Sequence, residues 1–207
     1  MLTVEQNEEL TRIGPGTPMG ELLRRYWYPI AFEQDFDTVP AKTVRLLSEN
    51  WTLFKTPKSG RYGIVAEACP HRSASLTYGV VHEDGIRCGY HGWKWDFDGT
   101  CVEQPAESDN QNFRDRVKQK AGKAETMGGM VWVYVGPDPA PELPRFDVFV
   151  MDGIKDVGYT TLPCNWLQIM ENSVDPHHVE WLHGYYFEFL GQTEGFDAPK
   201  AFQKKHL

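Results

Sequence analysis

The chain contains 207 residues, of which 41% are hydrophobic and 24% are charged, and its formal net charge is −8. Its acidic start lacks the basic and apolar regions of a secretory signal, and no apolar run reaches the length of a membrane span, so we expect a cytoplasmic protein. The negative charge and the lack of a basic cluster argue against nucleic acid as a partner. This length fits one full domain and part of another, which we favour, or one large domain.

Residues 1–35 predict a helical N-terminal segment. Thr3 and Gln6 have the spacing of a capping box, in which each side chain bonds the backbone of the other residue at a helix start. Thr17, followed by a proline, is typical of the start of a second helix. Apolar residues continue at helical spacing, so we expect this helix to reach Trp27.

From residue 36 to residue 136 the apolar period changes to two, which is typical of half-buried strands. Alternating apolar residues include Val44 and Leu46, Trp51 and Leu53, and Tyr62 and Ile64. Met130–Val135 is strongly β-prone and predicts a closing strand. Residues 104–126 are polar and predict an irregular surface excursion. The whole region is predicted to be an antiparallel β-sandwich, with the loops at Cys69 and Cys88 at one end.

A proline-rich stretch follows the β region. Four prolines fall between residues 136 and 146, and such a stiff, extended segment is typical of a boundary between domains. Residues 147–207 would then begin a second domain. The predicted fold class is α+β, with a helical lead-in, a sandwich and the start of a further domain.

Two mixed cysteine–histidine pairs lie within the β region. Cys69 and His71 form a Cys-x-His pair, and after sixteen residues Cys88 and His91 form a Cys-x-x-His pair. Structural zinc sites usually pair like ligands, whereas a Rieske [2Fe-2S] centre needs two thiolates on one iron and two imidazoles on the other. The mixed pairs therefore favour a Rieske cluster, with a zinc site and metal-free loops as alternatives. Tyr90 could donate a hydrogen bond to a cluster sulfur.

A second pattern, Asp-x-x-His-x(4)-His, is formed by Asp175, His178 and His183. Non-haem Fe(II) oxygenases bind iron through two histidines and one carboxylate. On an ideal helix a spacing of five residues turns two side chains about 140° apart, so either the helix is distorted or His183 lies at its end. The alternative is an amphipathic helix with ordinary histidines. Spacing alone would also allow Asp175 to be the carboxylate ligand.

The segments Cys69–Leu76 and Cys88–Gly99 resemble the Rieske loops of the ring-hydroxylating, non-haem iron oxygenases. The nearest resemblance is to the large (alpha) subunits of phthalate-dioxygenase-like enzymes, although Ser73 stands where many members have glycine. The resemblance implies a [2Fe-2S] cluster held by Cys69, His71, Cys88 and His91.

The resemblance also assigns roles in the second pattern. It implies that His178 and His183 bind a mononuclear non-haem Fe(II), while Asp175 hydrogen-bonds an iron-ligating histidine and, across a subunit boundary, a cluster histidine. Residues 147–207 would begin a catalytic domain made of a helix-covered β-sheet. The third iron ligand, an aspartate, is expected beyond Leu207, so we expect the chain to be the N-terminal half of a longer protein.

The function implied by the resemblance is that of the terminal oxygenase of a multicomponent system. An NAD(P)H-dependent reductase with flavin and an iron–sulfur centre would supply electrons to the Rieske cluster, and the cluster would pass them to the mononuclear iron. Dioxygen activated there would hydroxylate or O-demethylate a small aromatic acid, in a subunit that assembles as a homotrimer or a multiple of it. The alternatives are a Rieske-type electron-transfer protein without oxygenase activity and a zinc-stabilised interaction domain.

Overall fold

The computed structural model describes residues 2–105, 107, 111–195 and 197. These residues form two compact units, one made of residues 12–158 and the other of residues 2–11 together with the residues from Tyr159 onward. None of the helices in the described part of the chain is long and apolar enough to cross a membrane.

The described part of the larger unit contains ten strands. In chain order they are β1 (Tyr28–Phe32), β2 (Ala41–Leu46), β3 (Glu49–Lys55), β4 (Tyr62–Ala66), β5 (Val80–His82), β6 (Gly85–Arg87), β7 (Lys94–Trp95), β8 (Cys101–Glu103), β9 (Ala121–Met127) and β10 (Met130–Tyr134). They form two sheets, with the orders β1-β10-β9-β4-β3-β2 and β5-β6-β7-β8. All of the strand pairs are antiparallel, which confirms the predicted antiparallel β architecture.

The two faces of the six-stranded sheet cover different cores, as the alternation along its strands requires. One core contains Trp51, Leu53, Ile64, Val131 and Val133. The other core lies between the sheets and contains Phe54, Val65, Ile86, Trp95, Cys69 and Cys88. Two of the four predicted cluster ligands therefore belong to the hydrophobic core that joins the sheets.

The helices are short. In chain order they are α1 (Val4–Thr11), α2 (Pro18–Leu23), α3 (Gln111–Arg114), α4 (Asp147–Val150), α5 (Trp166–Ser173), α6 (Pro176–Glu180) and α7 (Tyr186–Glu194), with a π-helical segment at Trp181–Tyr185 and 3-10 turns at Glu33–Phe36 and Leu76–Tyr78. The capping box of Thr3 and Gln6 is present, and Thr17 caps α2 by accepting from the backbone of Gly20. However, α2 ends at Leu23, because β1 pairs with β10 from Tyr28 onward.

The prediction of a surface excursion over residues 104–126 is wrong at its end. The strand β9 begins at Ala121 and lies within the six-stranded sheet, between β4 and β10. Its sequence of small and charged residues has little β-propensity, and pairing with its two neighbours overrides that local preference.

Candidate functional site

The loops that contain the two cysteine–histidine pairs are closed by matching hydrogen bonds. The Cys69 amide donates to the Ala74 carbonyl at 2.9 Å, and the Cys69 carbonyl accepts from Ser73 at 2.8 Å. In the second loop, the Cys88 amide donates to the Trp93 carbonyl at 2.8 Å, and the Cys88 carbonyl accepts from the Gly92 amide at 3.1 Å. The backbone of each cysteine is thus hydrogen-bonded to the fourth and fifth residues after it.

The fourth residue of each loop has a left-handed backbone. The φ of Ser73 is 56° and that of Gly92 is 75°, a region that costs a residue with a side chain about 1–2 kcal/mol. A Cβ on Gly92 would also lie 3.2 Å from Cγ of Pro105. Ser73 and Gly92 are therefore structurally equivalent, and the turn geometry is the reason that glycine suits both positions.

The side chains of the two loops converge. Cys69 is 1% exposed and Cys88 is 4% exposed, and neither forms a disulfide. The rings of His71 and His91 lie 4.6 Å apart between centroids and are half-buried. His71 also stacks on Trp93, with centroids 4.4 Å apart and ring planes 3° from parallel. The thiols are therefore buried, and the imidazoles lie closer to the surface.

These residues fit the donor set of a [2Fe-2S] centre of the Rieske kind. Nδ1 of His91 is buried and has no hydrogen-bond partner in the described part of the chain, a cost that a bound metal would remove. Burial raises the pKa of the Cys69 thiol, so a bound metal would be needed to favour the thiolate. The two buried thiols and the two half-buried imidazoles match the two thiolates and two imidazoles that a Rieske centre needs.

Tyr90 lies on the outside of this site. Its ring centroid is 3.8 Å from that of His91, yet the residue is 65% exposed. The phenol is therefore placed against an imidazole at the surface, and its predicted hydrogen bond to a cluster sulfur stays a prediction.

Gln119 supports the first loop and was not identified from the sequence. It is 4% exposed, and its Nε2 donates to the carbonyls of Ala66 and Ala68 at 2.8 and 2.9 Å. These carbonyls belong to the chain leading into Cys69, so the amide fixes the start of that loop. A polar residue in a polar segment gives no sequence signal when its partners lie about fifty positions earlier.

The second predicted constellation lies in the smaller unit, at the junction of α6 and the π-helical segment. The rings of His178 and His183 are 5.4 Å apart between centroids, and Nδ1 of His178 is buried without a hydrogen-bond partner among the described residues. A π-helical turn holds more residues than an α-helical turn, so it brings positions five apart toward the same side. Of the two alternatives that the sequence left open, the structure shows the distorted helix, with His183 inside the π-helical segment.

Asp175 caps the start of α6. Its Oδ1 accepts from the backbone amide of His177 at 2.9 Å, and its Oδ2 lies 3.6 Å from Nδ1 of His178. That separation is too long for a hydrogen bond. The carboxylate is thus fixed by the helix start and adjacent to one of the two predicted iron ligands.

Comparisons with known proteins agree with this geometry. Residues 26–119 match the family model "Rieske [2Fe-2S] domain". The 5,5'-dehydrodivanillate O-demethylase oxygenase subunit of Sphingobium sp. is 48% identical over 97% of this chain and 48% of its own length. The phthalate 4,5-dioxygenase oxygenase subunit of Pseudomonas putida is 39% identical over 88% of this chain and 42% of its own length.

A solved oxygenase–ferredoxin complex of carbazole 1,9a-dioxygenase is similar over most of the chain. It covers 86% of this chain and 46% of its own, with 25% identity and a TM-score of 0.64. The chain spans less than half the length of these relatives. Residues 26–119 are thus a Rieske [2Fe-2S] domain, and the chain as a whole is similar to oxygenase subunits of aromatic-compound oxygenases and O-demethylases, as the resemblance implied.

Proposed function

We propose that this chain is the electron-accepting part of the oxygenase component of a multicomponent Rieske oxygenase. The observation that supports the proposal most directly is the convergence of two matched loops, each with one buried thiol and one half-buried imidazole. A second histidine pair in the same chain, His178 and His183, supports an oxygenase because it could bind the mononuclear iron. When bound, a Rieske cluster supplies one-electron transfer and a mononuclear non-haem iron supplies dioxygen activation.

The four loop residues have distinct tasks in this proposal. Cys69 and Cys88 bind from within the core and exclude water from one side of the centre. His71 and His91 bind from the half-buried side, where an imidazole edge gives electrons a short route to a partner. The stacking of Trp93 on His71 fixes the orientation of that ring.

In the second site, His178 and His183 would bind the mononuclear iron, and a third carboxylate ligand is expected beyond Leu207. Asp175 would orient His178, rather than bind the metal, and would link the iron site to a cluster histidine of a neighbouring subunit. The cap at the start of α6 supports this role, because one carboxylate oxygen is already used by the helix backbone.

The substrate, the partners and the location of the whole protein belong to the same proposal. We expect hydroxylation or O-demethylation of an aromatic acid, which the names of the relatives support, and an NAD(P)H-dependent flavin and iron–sulfur reductase in the cytoplasm. We also expect a homotrimer or a multiple of it. Light scattering of the full-length enzyme tests the assembly, and a fully active monomer would contradict it.

The second candidate function is that of a Rieske-type electron carrier without oxygen chemistry. The pair of His178 and His183 argues against an electron carrier, because a carrier does not need a second iron site. Iron analysis of the full-length protein separates the two functions: an oxygenase binds three irons per chain and a carrier binds two. A content of two irons, with a complete cluster, would reject the oxygenase.

A further inference from the structure

A row of charged side chains crosses the smaller sheet beside the second loop. In the strand register Arg87 of β6 lies opposite Lys94 of β7, and Lys94 lies opposite Glu103 of β8. Oε1 of Glu103 accepts from Nζ of Lys94 at 2.9 Å, and Oε2 accepts from Nη2 of Arg87. The Nζ of Lys94 also donates to Asp84 at 2.7 Å, and the Lys94 side chain is only 8% exposed. One carboxylate therefore binds two cations.

Arg87 connects this row to the loop. It immediately precedes Cys88, and its Nη1 donates to the carbonyl of Gly92 at 2.9 Å, the residue that follows His91. A guanidinium is planar and presents its donors in a fixed geometry, so a carboxylate bound on one side determines where the other donors point. Glu103 consequently sets the position of the donor that holds the end of the loop.

Glu103 is ionised over the ordinary pH range. Hydrogen bonds from Arg87 and from Lys94 lower its pKa to about 2. Its negative charge beside the loop is therefore permanent, and together with Asp84 it compensates the positive charges of Arg87 and Lys94.

We propose that Glu103 is a positioning residue for the second cluster loop and that its charge lowers the reduction potential of the cluster. The inference rests on the proposed function, because it requires the cluster to be bound by Cys88 and His91. Reduction adds one negative charge, which a nearby carboxylate disfavours and nearby cations favour. Removal of the Glu103 carboxylate leaves the two cations Arg87 and Lys94 with one carboxylate of this row, Asp84, and frees the guanidinium that holds Gly92.

The test is a redox titration of the cluster-loaded chain, followed by electron paramagnetic resonance. The variants are Glu103→Gln, Arg87→Gln and, as a control with the same loss of charge, Glu125→Gln on an exposed position of β9. Glu103→Gln should move the midpoint potential to a more positive value and change the g values of the reduced cluster. Arg87→Gln should move the potential to a more negative value, and Glu125→Gln should leave both quantities unchanged.

Opposite shifts distinguish an electrostatic and orienting role from a general loosening of the sheet. If Arg87→Gln does not retain the cluster, Lys94→Met replaces it and should also give a more negative potential. A potential for Glu103→Gln equal to the wild-type value, or shifts of the same sign in the glutamate and cation variants, would overturn the inference. A wild-type chain without the spectrum of mixed cysteine and histidine ligation would instead reject the proposed function.

Discussion

Ser73 and Gly92 have the same structural role in the two cluster loops, although their side chains differ. Each is the fourth residue after a cysteine, each donates its amide to that cysteine's carbonyl, and each has a positive φ. The family resemblance implied that Ser73 stands where many members have glycine, but the sequence offered no reason for that preference. The backbone conformation explains the preference, and serine accepts it at a moderate cost.

Substitution at these two positions should have unequal effects. Gly92→Ala adds a Cβ in the left-handed region and 3.2 Å from Pro105, so it should lower the free energy of unfolding by about 1–2 kcal/mol. Ser73→Gly relieves backbone strain in the folded chain, but it also increases the conformational freedom of the unfolded chain. Because these effects oppose each other, the free energy of unfolding should change by less than about 1 kcal/mol. Denaturant unfolding of the cluster-loaded chain measures both, and equal stabilities of the two variants would contradict the steric argument.

Substitutions of Asp175 and His178 in the full-length enzyme should differ in their effect on the mononuclear iron. Asp175→Asn keeps an oxygen that can accept from the amide of His177, so the variant should retain the cluster and most of the mononuclear iron but lose substrate turnover. His178→Ala should lose that iron. The measurements are iron content and turnover, and an iron site emptied equally by both changes would make Asp175 a ligand.

Among the secondary-structure elements, α2 is joined to the β2–β3 hairpin by Arg24. The residue is 5% exposed, and its guanidinium donates to the carbonyls of Ile13, Gly20 and Leu47 at 3.0–3.2 Å. It also forms a 2.7 Å ion pair with Glu49. If the arginine side chain is removed, the carbonyls of Ile13 and Leu47 lose the guanidinium donor, whereas Gly20 keeps the Arg24 backbone amide and Glu49 keeps Lys120. Buried polar groups that lose a partner are costly.

Arg24→Met should therefore lower the free energy of unfolding by roughly 2–4 kcal/mol. Arg25→Met is the matched control, because Arg25 is exposed on the same turn and should change stability by less than about 0.5 kcal/mol. Thermal or denaturant unfolding compares the two variants. Similar losses in both would show that the buried contacts contribute little.

The row of Arg87, Lys94 and Glu103 across β6, β7 and β8 predicts that the free energy of unfolding depends on pH. The pKa of Glu103 is lowered to about 2 in the folded chain, below its ordinary value near 4.5. A lowered pKa gives stability that is fully present above the unfolded value and is lost as the pH falls toward the folded value. The stability difference between wild type and Glu103→Gln should therefore shrink as the pH falls from about 4.5 toward 2. A difference that is constant over this window would contradict the paired state of Glu103.

Element prediction succeeded where local chemistry decides the structure. Capping by Thr3 and Thr17 follows from nearby residues. Helix geometry left two alternatives for His183, and the structure has the distorted helix. The strand β9 was missed because long-range pairing, and not its own composition, makes it a strand. Gln119 was missed for the same reason, since its partners lie on β4 and in the first loop.

For the whole molecule, the predicted cluster ligands are brought together from two loops of one unit, as their spacing indicated. The domain limits at residues 35, 136 and 147 stay predictions, and so do the roles of the six ligand residues. By its internal contacts, the described chain forms one unit of residues 12–158 and a second unit that includes α1. A short N-terminal helix gives no sequence signal of which distant segment it packs against.

We propose that Cys69, His71, Cys88 and His91 together hold one Rieske cluster. The most direct test is electron paramagnetic resonance of this chain, produced with iron and sulfide and then reduced. Imidazole ligation predicts a spectrum of mixed cysteine and histidine ligation and a less negative potential than that of an all-cysteine cluster. A spectrum of all-thiolate ligation, or stoichiometric zinc in place of iron and sulfide, would show that these four residues do not hold a Rieske cluster.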